Sequence, residues 1–190
     1  MSRNLSRDSA TLVFAVKTDG NQPLGLGIGP ALEAKDILAI LENKAEAPTD
    51  LKNKAISLAA TILAFGKGIP YSQGEELAKQ LLENGSALKK FLAICNAQGG
   101  FKEPPTASLT QDIVAVHAGV VSEIDNRNLA KVAKLAGASF DPAAGIEFFA
   151  KIGTCVEPGQ LLYRIHAESR GALNYSLSYA QSIPAIVKIK

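Results

Sequence analysis

Tryptophan is absent from this 190-residue chain, methionine occurs once, and cysteine and histidine occur twice each. Cys95 and Cys155 stand far apart and neither belongs to a CxxC pair, so a disulfide framework is excluded and a reducing compartment fits. Cys95 continues an apolar helical stripe with Leu88, Phe91 and Leu92 and reads as core, whereas Cys155 falls in a strand turn. His117 and His166 lack companions at ligand spacing, which argues against a metal site. No apolar run reaches the ~18 residues of a membrane span. Met1 to Ala10 is polar, with Arg3 and Arg7, and lacks the apolar centre of a signal peptide. The expectation is a cytoplasmic protein with no membrane partner. A block of one charge sign is missing too: the net charge is +2, and the lysines are dispersed without interleaved aromatics. That pattern describes solvated helix faces and excludes nucleic acid as a partner.

What is present is organised around Thr18 to Ala34. Thr11 to Val16 reads as a buried strand, and the periodicity of Ala34, Ile37, Leu38 and Leu41 reads as a helix with Pro30 in its first turn. Gly25, Gly27 and Gly29 lie between them, in the strand–loop–helix order that can receive an anion. The loop is neither G-x-G-x-x-G nor a Walker loop, so tight packing of helix on sheet is its first reading. Asp19 reads as a turn former and Glu33 as a first-turn acid facing the helix dipole, rather than as catalysts.

Four helical patterns follow. Ala31 to Glu42 is the first. Asp50 caps the second, with Leu51, Ala55, Leu58, Ala59, Ile62 and Leu63 inward. Ser72-x-x-Glu75 boxes the third, with Leu77, Ala78, Leu81 and Leu82 on one face. Asn84-Gly85 ends it, and Ser86 opens a fourth to about Gln98. Gly99 to Pro105 is a linker. Beyond it Asp112 to His117, Gly119 to Ile124, Gly145 to Ile152, Tyr163 to Ala167 and Ala185 to Ile189 read as strands. Asn126 to Ala136, with Leu129, Val132, Ala133 and Ala136 inward, and Ala172 to Gln181 read as helices. The fold class is α/β (α+β). The first strand needs a ladder partner, either in the C-terminal half or in a preceding part of the protein.

Two blocks carry a resemblance. Thr18-Asp19-Gly20-x-Gln22-Pro23-Leu24-Gly25 with Ile28-Gly29-Pro30-Ala31-Leu32-Glu33-Ala34 resembles a signature of the thymidine phosphorylase/AMP phosphorylase family. Gly119 to Asn126, on through Lys151-x-Gly153, is similar to that family's C-terminal domain. Gly20 and Gly29-Pro30 resemble the AMP phosphorylase and type 2 thymidine phosphorylase branch. The likeness implies only the C-terminal portion of the family's length. Residues 1–100 would complete a truncated central α/β domain, and residues 101–190 would form a C-terminal α/β domain with barrel-sandwich or hammerhead-like hairpins. It implies a pentosyltransferase that cleaves a nucleoside or nucleotide N-glycosidic bond, with inorganic phosphate as co-substrate and no other cofactor. The family's catalytic segments lie upstream of the signature, so no catalytic, phosphate-binding or metal residue is assigned here. The chain alone is expected to be inactive, its partners being the N-terminal part of the enzyme and further copies in a homo-oligomer.

Two alternatives come from other classes. Val156-x-x-Gly159-Gln160-x-Leu162 also resembles biotinyl and lipoyl carrier domains, but Ala167-Glu168-Ser169-Arg170 has no lysine at the carrier position. The chain could instead be a stand-alone assembly module, adding Ala185 to Ile189 to a neighbour's sheet; Lys188 and Lys190 read as edge protection.

Overall fold

The computed structural model describes residues 15–183 and 185–190. The Thr11–Phe14 part of the expected first strand lies outside them. Ala15 and Val16 are exposed and form no strand, having no ladder partner among the described residues. The first strand among the described residues is β1 (Gly27–Ile28), inside the glycine loop. Gly29, at φ 135°, then turns the chain into α1 (Pro30–Leu41), whose first position is Pro30. A proline is favourable there because its absent N–H has no intrahelical partner to lose.

The next three helices are α2 (Thr49–Lys67), α3 (Tyr71–Glu83) and α4 (Ser86–Ala97). Both side-chain caps expected from sequence are displaced. Pro48 and Pro70 sit at the caps, and neither helix has a side-chain cap bond. The N–H groups of Gln73 and Gly74 both reach the Pro70 carbonyl, so α3 starts before Ser72 can cap it. Gly85, at φ 76°, and the bond from Ser86 N–H to Asn84 Oδ1 start α4 where the sequence places it.

Burial on α2 also departs from the expected stripe. Ile56 and Ala60 are the buried residues, while Leu58 and Ile62 are exposed, Ile62 by 72%. The reason lies at the α2–α3 crossing, where a Cβ on Gly74 would come within 2.6 Å of the Ala60 carbonyl oxygen. That close approach turns the Ile56–Ala60 face, not the Leu58–Ile62 face, toward α3. α4 buries none of its residues fully, and Cys95 is half-buried rather than core.

After an irregular stretch at residues 98–108 come β2 (Leu109–Val114), β3 (Gly119–Ile124) and α5 (Asn126–Ala133). Leu129, Val132, Ala133 and Ala136 are buried, as the periodicity indicates. A π-helical turn, Lys134–Ala138, ends α5 at Gly137, whose φ is 117°. Then follow β4 (Gly145–Phe148), β5 (Cys155–Val156), β6 (Leu161–Ala167), α6 (Arg170–Ser182) and β7 (Val187–Ile189).

Helices and sheets together make the α/β (α+β) fold. Every described strand pair is antiparallel, in a four-stranded sheet ordered β1-β4-β6-β2 and a three-stranded sheet ordered β5-β3-β7. Alternation sends Ile146, Phe148, Tyr163 and Ile165 into the main core with Leu129 and Val132. Burial there pushes the Tyr163 hydroxyl up to about 12. The buried Ser176 hydroxyl of α6 donates to the Val132 carbonyl at 2.9 Å, which satisfies it and ties α6 to α5. A smaller core around Ile40, Ile56, Ala78 and Leu82 holds the helical layer.

Candidate functional site

The glycine loop is held by carboxylates from its own chain. Gly25 N–H faces both Asp50 oxygens at 3.3 Å. Leu26 and Gly27 donate to one Asp36 oxygen at 2.7 and 2.8 Å, and Gly29 donates to Glu33 Oε1 at 3.1 Å. Asp36 is buried on α1, nine residues or more along the chain from the amides it accepts. Asp19 accepts from Asn21 N–H at 3.0 Å, a local Asx turn. A phosphate cradle needs free amides and positive potential. Here the loop's inward amides are already donated, and three carboxylates surround them. The glycines serve approach instead, since a Cβ on Gly29 would lie 2.5 Å from the Ala144 carbonyl oxygen.

One cation enters the loop, and it comes from the other end of the chain. Lys151 Nζ donates to the carbonyls of Pro23 and Gly25 at 2.7 and 2.6 Å and pairs with Asp50 Oδ2 at 2.9 Å. Beside it Ile152 N–H donates to Gln22 Oε1 at 2.8 Å. The T-D-G-x-Q-P-L-G block and the Lys151-x-Gly153 block are thus bonded to each other. Sequence reasoning placed both blocks but missed the clamp, because it took Asp50 as a helix cap. A lysine following an apolar strand was the available signal.

Burial pushes the Asp50 carboxyl up, but the Lys151 ammonium and the N–H groups of Leu51 and Gly25 outweigh it and leave the carboxyl below its usual range. Glu147 is also lowered, first by the His166 imidazole with Nε2 3.4 Å away, and this overcomes its burial. His166 is buried, and its Nε2 has no hydrogen bond among the described residues. Arg164, beside Glu147 in register, forks onto both Asp112 oxygens across the neighbouring strand. A carboxyl lowered by folding adds stability that is present above its unfolded value and lost as pH falls through the folded one. The thermal midpoint is therefore expected to hold from neutrality down to about pH 5 and to drop below about pH 4. Lys151→Met should remove the Asp50 share of that drop. An acid limb identical in the variant would contradict this assignment.

The remaining sequence candidates are scattered. Gly159, at φ 84°, turns the chain between β5 and β6, with Gln160 Oε1 accepting from Glu157 N–H at 3.0 Å. Ala167 to Arg170 is not a hairpin tip, because Ser169 caps α6 there through the Ala172 N–H. Glu168 accepts from Ala143 N–H at 3.0 Å. β7 pairs with β3, and Lys188 bonds Glu123. Among the described residues no group of three or more His, Cys, Asp or Glu side chains is placed to hold a metal, and no helix is long and apolar enough to cross a membrane.

Comparison with known proteins adds the decisive observation. Residues 120–183 match the pyrimidine nucleoside phosphorylase C-terminal domain. A protein of Maricaulis maris named "Putative thymidine phosphorylase" is 51% identical over 175 residues, covering 92% of this chain and 34% of the relative. The chain matches the C-terminal portion of the thymidine phosphorylase family. Proteins of the same name from Ralstonia nicotianae and Hahella chejuensis are 45% and 48% identical, over 96% and 94% of the chain. The chain spans about a third of the length of these thymidine phosphorylase relatives, matching the family's C-terminal portion. The phosphorylase signature loop and the C-terminal domain are therefore parts of one bonded unit.

Proposed function

We propose that this chain is the C-terminal part of an enzyme that uses inorganic phosphate to cleave the N-glycosidic bond of a nucleoside or nucleotide. The observation that carries the reading is the identity of about half over nearly the whole chain. On this reading residues 1–100 complete the central α/β domain, and residues 101–190 form the C-terminal domain with hammerhead-like hairpins. The remainder of the enzyme supplies the catalytic and phosphate-binding groups, acts in the cytoplasm and assembles with further copies. Inorganic phosphate is the co-substrate, and no other cofactor is required.

Gly20 and Gly29-Pro30 resemble the AMP phosphorylase and type 2 thymidine phosphorylase branch. Gly29 and Pro30 work in packing here, one at the β4 approach and the other at a helix start. Their branch character therefore informs ancestry more than substrate choice.

Phosphorolysis depends on holding phosphate and substrate in one preorganised geometry. In the loop described above the amides of Gly25, Leu26, Gly27 and Gly29 are already donated to carboxylates. The purified chain is expected to release no thymine from thymidine and no adenine from AMP at excess phosphate. A chimera in which this chain replaces the matching third of the Maricaulis maris protein is expected to turn over only when phosphate is present. Turnover that scales with the isolated chain would overturn the division of labour. An inactive chimera beside an active parent would overturn the functional reading.

A further inference from the structure

The helical layer contains an open groove of about 320 Å³ between α1 on one side and α2 and α3 on the other. Its walls are made only of Leu, Ile and Ala, among them Ile37, Leu51, Ala55, Leu63 and Leu81. A sugar, base or phosphate needs placed polar partners, and this groove has none. It is built for an apolar surface. Three wall residues, Ile37, Ala55 and Leu81, are exposed, Ile37 by 45%. The apolar surface continues out of the groove along α2, where Leu58 and Ile62 follow Leu51 and Ala55 at helical spacing. The periodicity of α2 marks this stripe as a buried face, and Leu51 packs against the smaller core, yet Ala55, Leu58 and Ile62 are exposed among the described residues. A contiguous exposed apolar strip of this kind marks a docking surface.

Two observations select the occupant. The chain spans only 34–36% of the relatives' length, so most of a family-length protein lies outside it. The groove also shares Ile37 and Leu51 with a cleft lined by Pro23 and Leu24 of the signature loop. The chain reaches that loop through Ala15 to Gly20, which are exposed and without regular structure. Pro23 and Leu24 of the loop thus border the groove, and the Gly20 carbonyl just before them accepts from Asn126 Nδ2 at 2.8 Å. We propose that the groove and the Leu51–Ala55–Leu58–Ile62 stripe seat an amphipathic helix from the preceding part of a family-length enzyme. The assignment rests on the proposed function above. Helical walls favour a helix as guest, its apolar side chains spaced three and four apart.

The test uses thiol footprinting. Cys95 and Cys155 are replaced by serine, and Ala55→Cys or Leu81→Cys is introduced into the isolated chain and into the Maricaulis maris chimera. Labelling in the chimera is expected to be slower by about tenfold or more, because reaction requires access. Equal rates in chain and chimera would overturn the proposal. So would protection in the isolated chain that grows with concentration, which would mean that a second copy fills the groove. Should the chimera not fold, cysteines at the aligned positions of the intact relative give the same reading against the isolated chain. Phosphorolysis is scored separately. An active chimera without protection defeats the surface and spares the function, and protection without activity does the reverse.

Discussion

Alanine at Gly29 or Gly145 is expected to destabilise the protein by about 3–5 kcal/mol, among the largest effects available to a single methyl group. Both glycines lie at the crossing of β1 and β4. Gly29 has φ 135° and Gly145 φ 155°, where an L side chain is strained. A Cβ on Gly29 would lie 2.5 Å from the Ala144 carbonyl oxygen, and one on Gly145 would overlap the Ile28 carbonyl oxygen. These neighbours are backbone, so relief requires parting the strands and breaking the Gly27–Glu147 and Ile28–Ile146 pairing. At about 2–4 °C per kcal/mol for a chain of this size, the thermal midpoint should fall by roughly 6–20 °C. Gly20→Ala is the control, because nothing lies within 4 Å of its added Cβ. It is expected to stay within about 0.5 kcal/mol. Because Gly29 and Gly145 face each other, the double variant should cost less than the sum. An unchanged midpoint for Gly145→Ala would mean that β1 does not pair with β4 in solution.

Lys151→Met comes next, at about 2–4 kcal/mol. Methionine keeps most of the length and loses the three donors. The Pro23 and Gly25 carbonyls then face a thioether, and Asp50 keeps its amide contacts without its cation. The side chain of Asp50 is about a third exposed, so solvent screens the Coulomb part and the orphaned carbonyls carry most of the loss. Lys151→Arg should rescue little, since a planar fork cannot point at two carbonyls and one carboxylate as a tetrahedral ammonium does. Urea unfolding of Lys151→Met, Asp50→Asn and the double variant measures the coupling, expected at about 1 kcal/mol. Zero coupling would show that the lysine works through the carbonyls alone.

Much of this chain was legible before folding. Helix starts at Pro30 and Ser86, the inward set Leu129, Val132, Ala133 and Ala136, and the Gly119–Ile124 strand follow from local rules. The caps at Asp50 and Ser72 misled because a proline two residues earlier had already set the first turn.

The sequence by itself determined the helices and the longer strands, the α/β class and the two motif blocks that mark the thymidine phosphorylase family. Those are properties of short windows, set by periodicity, glycine conformation and proline geometry. Only the tertiary structure decided that Gly27–Ile28 joins the C-terminal sheet, and that Lys151 reaches back across 126 residues to Gly25. It also decided that Ile56 and Ala60, not Leu58 and Ile62, are the covered side of α2. Periodicity states which residues share a face. What that face meets depends on how closely two distant backbones approach, which on α2 is set by Gly74 against Ala60.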